Sequence, residues 1–304
     1  MAQALLVPLL ESGLVQRSAV RAAVASPASA ERLAAEHGVR VSTDPGEAWA
    51  APLVLLAVKP QQLEVAAAQA AASKGQSRPM PPPGASASPG PEPEDNVAAT
   101  AAATVPATAS AATPSADPSG GRTQLGAAPL LISVLAGVSL ARLQRLFPGW
   151  RCVRAVPNTP CLVRQGLTGL AWGEGVSSER RRRVRELFAL VGAVHELPES
   201  QLDAFLALTS SGPAFVALVA EAMADGAVAA GLPRTLAHEL AHRTLAGTAA
   251  LLHERQLHPA VLKDMVSSPA GTTIAGLRQL ERGGLRSALL EAVLAAADRS
   301  RELG

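Results

Sequence analysis

The apolar positions of this chain repeat with two different periods, and the change from one to the other divides it. Leu53-Val54-Leu55-Leu56-Ala57-Val58 and Leu130-Leu131-Ile132-Ser133-Val134-Leu135 are nearly unbroken apolar runs, the pattern of strands buried on both faces. Shorter strand-like stretches are predicted at 20–25, 39–41, 153–156, 167–172 and 194–197. Helical patterns lie between them. One covers residues 2–13 and ends on Gly13, one opens at Ser26-Pro27 and ends near Gly38, one follows Pro60, and one covers 177–191. Strands alternating with helices at this spacing predict a parallel, doubly wound α/β sheet. From Glu199 onward the pattern is helical almost throughout. Helices are predicted at 202–209, 214–230, 234–253, 259–265, 273–282 and 285–302, punctuated by Gly212-Pro213, Gly231-Leu232-Pro233 and Gly283-Gly284. The chain therefore divides into a sheet domain, 1–198, and an all-α domain, 199–304.

Residues 74–128 follow neither period. They are built from Pro, Ala, Ser, Gly and Thr, as in Pro79-Met80-Pro81-Pro82-Pro83-Gly84. Such a segment buries too little large apolar surface to offset its ordering entropy. It reads as a disordered insertion in a surface loop, where added length costs little loop-closure entropy.

Composition narrows the function classes. Apolar residues make up 48% of the chain but aromatics only 2%, with no tyrosine, so the core must rest on Leu, Val and Ala. The formal charge of +2 argues neither for nor against a nucleic-acid partner. The run Arg180-Arg181-Arg182-Arg183 sits in an amphipathic helix with Val184, Leu187 and Phe188 on its apolar side, and reads as a solvated face. Cys152 and Cys161 form no CxxC pair and have no histidine cluster beside them. No disulfide framework or metal site is expected, and a reducing cytoplasm fits. No apolar run approaches the roughly 20 residues of a membrane helix. Residues 1–10 lack the basic start of a signal peptide and read as an ordinary helix.

Candidate chemistry gathers in four places. Ala57-Val58-Lys59-Pro60 ends a buried strand, and ligands of doubly wound sheets sit beyond such ends. Lys59 is either a phosphate or ribose contact or a solvated strand-end lysine. Ser26 follows the strand after which NAD-binding folds carry an acidic residue for the ribose 2′-hydroxyl. A serine there suits a 2′-phosphate and also serves as a helix N-cap. Val266-Ser267-Ser268-Pro269-Ala270-Gly271-Thr272-Thr273-Ile274 opens a helix with hydroxyls and backbone amides, which suits either an anion or plain capping. Thr209-Ser210-Ser211-Gly212-Pro213 is a similar helix start.

In order along the chain these loops form a set: Ala57-Val58-Lys59-Pro60, Ala136-Gly137-Val138-Ser139, Pro157-Asn158-Thr159-Pro160, Ser211-Gly212-Pro213-Ala214, Gly231-Leu232-Pro233-Arg234, and Leu262-Lys263-Asp264 leading into Ser267 to Thr273. The set resembles the pyrroline-5-carboxylate reductase family over the whole chain except residues 74–128. The resemblance implies a Rossmann-type nucleotide domain followed by a helical substrate-binding and dimerisation domain. It implies reduction of the ring imine of 1-pyrroline-5-carboxylate to L-proline by hydride from NADPH, with NADH as the alternative donor. The implied assembly is a homodimer or higher homo-oligomer in the cytoplasm, whose active site lies between the cofactor domain of one subunit and the helical domains of the dimer, with no nucleic-acid or membrane partner. Ser268, Gly271, Thr272 and Thr273 would hold the substrate carboxylate, with Thr273 or a bound water protonating the imine nitrogen. Ser26, Ala57, Val58, Lys59, Pro60, Leu135, Ala136, Gly137, Asn158 and Thr159 would line the cofactor.

The chain departs from the family pattern in places. The family's first strand and its GxGxMA loop would precede Ala4-Leu5-Leu6, and Met1-Ala2 matches only the last two residues of that loop. Met1 is therefore expected to be an internal methionine, with in-frame upstream codons encoding a strand and a Gly-x-Gly turn; stop codons there would overturn this. Ala270 replaces a glycine of the carboxylate loop, read as a mild change, and Ser210 stands where a glycine is common. The competing reading is a non-catalytic or degraded dimerisation subunit with an incomplete cofactor site.

Overall fold

A computed structural model describes residues 2–75, 99–103 and 128–303. The chain forms two compact units, one of residues 1–203 with 300–304 and one of residues 204–299.

The sheet unit opens with helix α1 (Ala2–Glu11), followed by β1 (Val20–Val24), α2 (Pro27–His37), β2 (Arg40–Ser42), the single-turn α3 (Gly46–Trp49), β3 (Leu53–Ala57) and α4 (Leu63–Gly75). Then come β4 (Ala99–Ala103), β5 (Leu130–Ser133), α5 (Leu140–Leu146), β6 (Arg151–Pro157), β7 (Gly166–Trp172), α6 (Ser178–Ala189) and β8 (Gly192–Glu196). Boundary chemistry explains several ends. Ser26 caps α2 by accepting from the Ser29 amide at 3.3 Å, and Gly38 closes that helix in the left-handed region at φ 63°.

The eight strands lie in the order β2-β1-β4-β3-β5-β6-β7-β8. β1, β2, β3, β5 and β6 run in one direction; β4, β7 and β8 run in the other. In β3 and β5 side chains are buried on both faces, as their apolar runs require. Leu53, Leu55, Leu130 and Ile132 share one core with Leu5, Leu6 and Leu9 of α1 and Val184, Leu187 and Phe188 of α6. Val54, Leu56 and Leu131 point to the opposite face. There Trp49 lies 5.7 Å from Phe147 and 5.8 Å from Trp150, centroid to centroid.

The structure departs from expectation at β4. The segment 74–128 was expected to be disordered throughout, but Lys74 and Gly75 end α4 and Ala99–Ala103 form a strand inside the sheet. Residues 76–98 and 104–127 lie outside the described residues. β4 pairs antiparallel with β1 on one side, Ala22 opposite Ala101, and with β3 on the other, Leu55 opposite Ala101. β1 and β3 each present a ladder edge toward the other. Backbone donors and acceptors in a sheet interior must be paired, and any strand supplies that pairing whatever its side chains. Apolar bulk, on which the disorder expectation rested, does not enter this requirement.

The helical unit comprises α7 (Leu202–Thr209, which begins within the sheet unit), α8 (Gly212–Ala229), α9 (Arg234–Glu254), α10 (Pro259–Met265), α11 (Thr272–Arg282) and α12 (Leu285–Leu303, which ends in the sheet unit). α8 packs on α9 through a small core of Ala224, Ala237 and Ala241. Large apolar side chains stay exposed, among them Leu218 at 66%, Met265 at 66% and Leu290 at 54%. One helical stretch, Glu199–Ala229, is long and apolar enough to cross a membrane by length and composition. This qualifies the expectation that no run approaches that length, although Ser210 and Ser211 form a turn that separates α7 from α8 within the stretch. Large apolar side chains exposed in such number on one unit are the kind of surface that marks an interaction site.

Proline cannot donate to a ladder and is excluded from central strands. Ala101→Pro is therefore expected to destabilise the sheet unit by about 1–3 kcal/mol, the cost of a buried backbone group left unpaired. Denaturant titration of the wild type and the variant measures it, and an unchanged midpoint would show that β4 does not hold the sheet together.

Candidate functional site

Four parallel strands, β1, β3, β5 and β6, end on one edge of the sheet, and each delivers predicted residues there. Ser26 follows β1; Ala57 ends β3 and Val58, Lys59 and Pro60 continue from it; Leu135, Ala136 and Gly137 follow β5; Asn158 and Thr159 follow β6. Such an edge is where open α/β sheets bind ligands. A cleft of about 310 Å³ opens at its β1–β3 end, lined by Val24, Thr43, Val58, Gln62, Val65 and Gln69 among others. Aliphatic walls with a few polar groups suit a planar base.

The individual side chains differ in what they leave for a ligand. Ser26 is exposed, with its oxygen 3.0 Å from the Ser29 hydroxyl while it caps α2. Lys59 and Pro60 are exposed, whereas Ala57 and Val58 are half-buried. Leu135 is buried and Ala136 exposed. Gly137 adopts φ +70°, and a Cβ there would sit 3.2 Å from the Leu303 carbonyl oxygen, so the turn requires glycine twice over. Asn158 is buried, and its Oδ1 accepts from the Leu167 amide at 2.8 Å, which fixes the start of β7. Its side-chain oxygen is thus turned to the sheet, and Thr159 is the exposed member of that pair.

A strand-to-helix turn of backbone amides, the usual diphosphate cradle at the centre of such a sheet, is not found there among the described residues. β4 occupies the central lane in the reverse direction, so its first residue, Ala99, lies opposite Val24 and Ala57 at the crevice edge. The cleft at the β1–β3 end has room for a planar base, and the described residues offer a diphosphate no amide cluster.

The second half of the predicted site belongs to the helical unit. Ser268, Gly271, Thr272 and Thr273 surround the start of α11. Gly271 is its N-cap, with no side chain capping it. The Gly271 amide donates to the Ser268 carbonyl at 3.0 Å, and the Ala275 amide returns to the Gly271 carbonyl at 3.3 Å. Helix geometry leaves the amides of Thr272, Thr273 and Ile274 without partners inside the helix. With the adjoining hydroxyls they form a donor cluster for a carboxylate. Ala270 and Gly271 border a cavity of about 490 Å³ that also takes in Lys263 and Arg278. Lys263 is absent from the predicted site; its signal was the Leu262-Lys263-Asp264 motif, which one helical turn carries to the loop.

Ala270 is more than a mild change. It adopts φ +56°, the left-handed region that penalises any Cβ. Gly271 has ordinary backbone angles and needs its glycine for space: a Cβ would meet Ser268 Oγ at 2.3 Å and the Ser268 carbonyl oxygen at 3.1 Å.

Several other groups are accounted for without a ligand. Arg183 pairs with Glu179 at 2.7 Å and Arg182 with Glu186 at 3.8 Å, Arg181 lies 5.4 Å over the Trp172 ring, and Arg180 donates to the Ala128 carbonyl. The arginine run is thus spent on its own unit. Cys152 and Cys161 are free and buried. Burial pushes the Cys152 thiol up to about 11 and raises Cys161 as well, so neither is a thiolate near neutrality.

Residues 199–303 match the family model described as pyrroline-5-carboxylate reductase dimerisation, and residues 1–77 match NADP oxidoreductase, coenzyme F420-dependent. The pyrroline-5-carboxylate reductase of Synechocystis sp. is 52% identical over 176 residues, 58% of this chain and 66% of that protein. That of Methanosarcina acetivorans is 44% identical over 184 residues, 60% of this chain and 68% of that protein. The match thus spans about two thirds of these curated relatives, falling just short of that share for the Synechocystis protein. A solved pyrroline-5-carboxylate reductase structure from Coxiella burnetii superposes with a TM-score of 0.75 at 26% identity, covering 100% of this chain and 94% of that one.

Two substitutions separate strain from space in the α11 loop. Ala270→Gly relieves the left-handed strain and is expected to stabilise the chain by about 0.5–1 kcal/mol, net of glycine's entropy. Gly271→Ala forces the Ser268 hydroxyl out of the loop. It is expected to weaken binding of a small carboxylate about tenfold, one hydrogen bond to a charged group, with little change in the melting midpoint. Calorimetric titration and thermal unfolding of both variants check the pair, and equal affinities for Gly271→Ala and the wild type would remove the loop from the site.

Proposed function

The chain belongs to the pyrroline-5-carboxylate reductase family, and on that premise we propose that it reduces 1-pyrroline-5-carboxylate to L-proline with hydride from NADPH. The observation that carries the proposal is the donor cluster at the start of α11, built for a small carboxylate and lying in the segment matched by the family's dimerisation model.

In this reading the amides of Thr272 and Thr273 and the hydroxyls of Ser268 and Thr272 hold the substrate carboxylate and so fix the ring. The Thr273 hydroxyl, or a water that it orders, relays a proton to the ring nitrogen and is reprotonated from solvent water in the same step, so the net proton comes from solvent and no alkoxide is left. The bound nicotinamide supplies the hydride and nothing else. Hydride transfer to an imine depends on positioning, and none of these residues has to change its charge. Val58 and the walls of the β1–β3 cleft take the adenine. Ser26 and Lys59 take the 2′-phosphate, and Ala136, Gly137, Asn158 and Thr159 flank the nicotinamide side.

Two features support NADPH over NADH. The turn after β1, Ala25-Ser26, carries no acid, and Lys59 lies just past the end of β3 on the same sheet edge. The exposed apolar faces of α8 to α12 support a homodimer or a larger assembly of dimers, with the stretch Glu199–Ala229 meeting a second copy rather than lipid. Two reduced, buried thiols accord with a cytoplasmic home.

Turnover is read as pyrroline-5-carboxylate-dependent loss of NADPH absorbance. The wild type is expected to be active, and Ser26→Asp is expected to raise the KM for NADPH at least tenfold while lowering that for NADH, because a carboxylate repels the 2′-phosphate and accepts from a 2′-hydroxyl. No turnover by a folded, self-associated wild type would replace the reductase with a non-catalytic dimerisation subunit.

A further inference from the structure

Arg154 is a charged side chain in the middle of β6, only 3% exposed, where its neighbours Val153 and Ala155 are completely buried. Its Nη1 lies 3.4 Å from Glu199 Oε1 and its Nη2 donates to Asp203 Oδ1 at 3.0 Å. The same Asp203 oxygen accepts from the Ser300 hydroxyl at 2.8 Å, and the same Glu199 oxygen accepts from the Leu140 amide at 2.6 Å. Arg154 Nε has no partner. Arg154 of β6 is thus joined through Glu199 to the start of α5 and through Asp203 to the end of α12.

The sheet does not need this arginine to form. β6 is paired along both edges, with β5 and with β7, and an apolar residue of similar volume would leave no charge to desolvate. What the cluster fixes is the start of α5. Ser139 caps that helix through the Arg142 amide at 3.3 Å, and the Glu199 carboxylate holds the Leu140 amide one residue further on. The turn Leu135–Gly137 lies immediately before. Its upstream end is held where the Val134 amide donates to the Leu56 carbonyl at 3.0 Å. Gly137 itself backs onto Leu303, whose Cβ would lie 3.0 Å from a Cβ on the glycine. The turn is therefore pinned upstream by the sheet, downstream by Glu199, and from behind by the end of α12. That helix end is in turn held by Ser300 through Asp203 to Arg154.

We propose that Arg154, acting through Glu199, is a positioning residue for the turn Leu135–Gly137, and so for the nicotinamide side of the crevice. The assignment of that turn to the cofactor rests on the proposed function; the support of the turn by Arg154 and Glu199 does not. A binding surface made of backbone needs its supporting groups locked, since it has no side chain of its own to adjust.

The test uses the full chain and begins with a readout that needs no turnover. Glu199 is partly exposed, and Asp203 still pairs with Arg154 in Glu199→Ala, whose thermal midpoint is measured beside the wild type's to establish that it folds. Hydrogen exchange of the Leu140 amide is expected to quicken about tenfold or more in Glu199→Ala, from loss of a hydrogen bond to a charged acceptor. Glu199→Gln, which still offers an Oε1 acceptor, is expected to recover most of the protection. Arg154→Gln is expected to quicken the same amide about threefold, a smaller effect because the bond survives without its anchor. In all three the β5 amides should exchange as in the wild type. Unchanged exchange at Leu140 overturns the proposal, and so does equal acceleration across β5 and β6, which would make the cluster merely structural.

The second readout is the dissociation constant for NADPH beside the KM for pyrroline-5-carboxylate. Glu199→Ala is expected to weaken NADPH about threefold to tenfold and leave the substrate KM within twofold. An unchanged NADPH constant overturns the link to the cofactor. Failure of the wild type to bind NADPH overturns the reductase reading, while the exchange pattern still decides whether Arg154 and Glu199 hold the turn.

Discussion

The lane between β1 and β3 is the constraint on which the sheet unit depends. These two strands run parallel to each other with one strand-width between them, and each turns a row of backbone donors and acceptors into that gap. Leaving the row unpaired inside a sheet costs more than the whole stability of a domain can absorb. The gap also fixes everything on either side of it, because among the described residues β2 joins the sheet through β1 and the strands from β5 to β8 join it through β3. Whatever occupies the lane decides whether there is one sheet or two fragments.

The occupant also decides the chemistry at the crevice. A parallel strand in that lane would end at the ligand edge and pass into a turn and a helix, bringing backbone amides to the sheet's switch point. β4 runs the other way and arrives at that edge with its first residue. It satisfies the hydrogen bonds equally well, since antiparallel pairing is at least as stable per residue, but it delivers no helix N-terminus. Satisfying the sheet and building the diphosphate site are therefore separate requirements on the same lane, and the described residues meet the first. The cleft at the β1–β3 end is lined from the ends of β1 and β3, the loop after β2 and the first turns of α4, and it is present with β4 in this direction.

Much of this was legible in the sequence where period and punctuation agree. The runs 53–58 and 130–135 were readable as doubly buried strands because parallel strands covered on both faces have no polar alternation to hide. Ser26-Pro27, Gly38 and Gly137 marked their boundaries through capping and positive φ, which are local properties. β4 was not legible. Ala-Thr-Ala-Ala-Ala carries no β-branched or aromatic pattern beyond one threonine, and its place follows from an empty lane between two distant strands, a non-local demand. The buried Arg154 was equally silent: a lone arginine between Val153 and Ala155 gives no hint that Glu199 and Asp203 will pair with it from 45 to 49 residues further along, or that Ser300 will hold Asp203 from the other side. Of the candidate site, residue types and order were readable. The strain at Ala270 was not, because positive φ on an alanine appears only in the folded backbone.

The donors at the start of α11 have a consequence for pH. Backbone amides and the hydroxyls of Ser268, Thr272 and Thr273 do not titrate in the range where a protein is folded, so a carboxylate held by them is held equally at pH 5 and pH 9. No histidine, cysteine or carboxylate stands in the predicted contact set, and the two thiols of the chain are buried in the sheet unit with raised pKa values. In the proposed reaction the only group that must change its protonation is the ring nitrogen of the substrate. A site of this kind binds by geometry and lets the substrate carry the proton balance. That choice places the demand on the shape of the loop, where Gly271 admits the Ser268 hydroxyl and Ala270 holds a strained turn, rather than on any tuned acid or base.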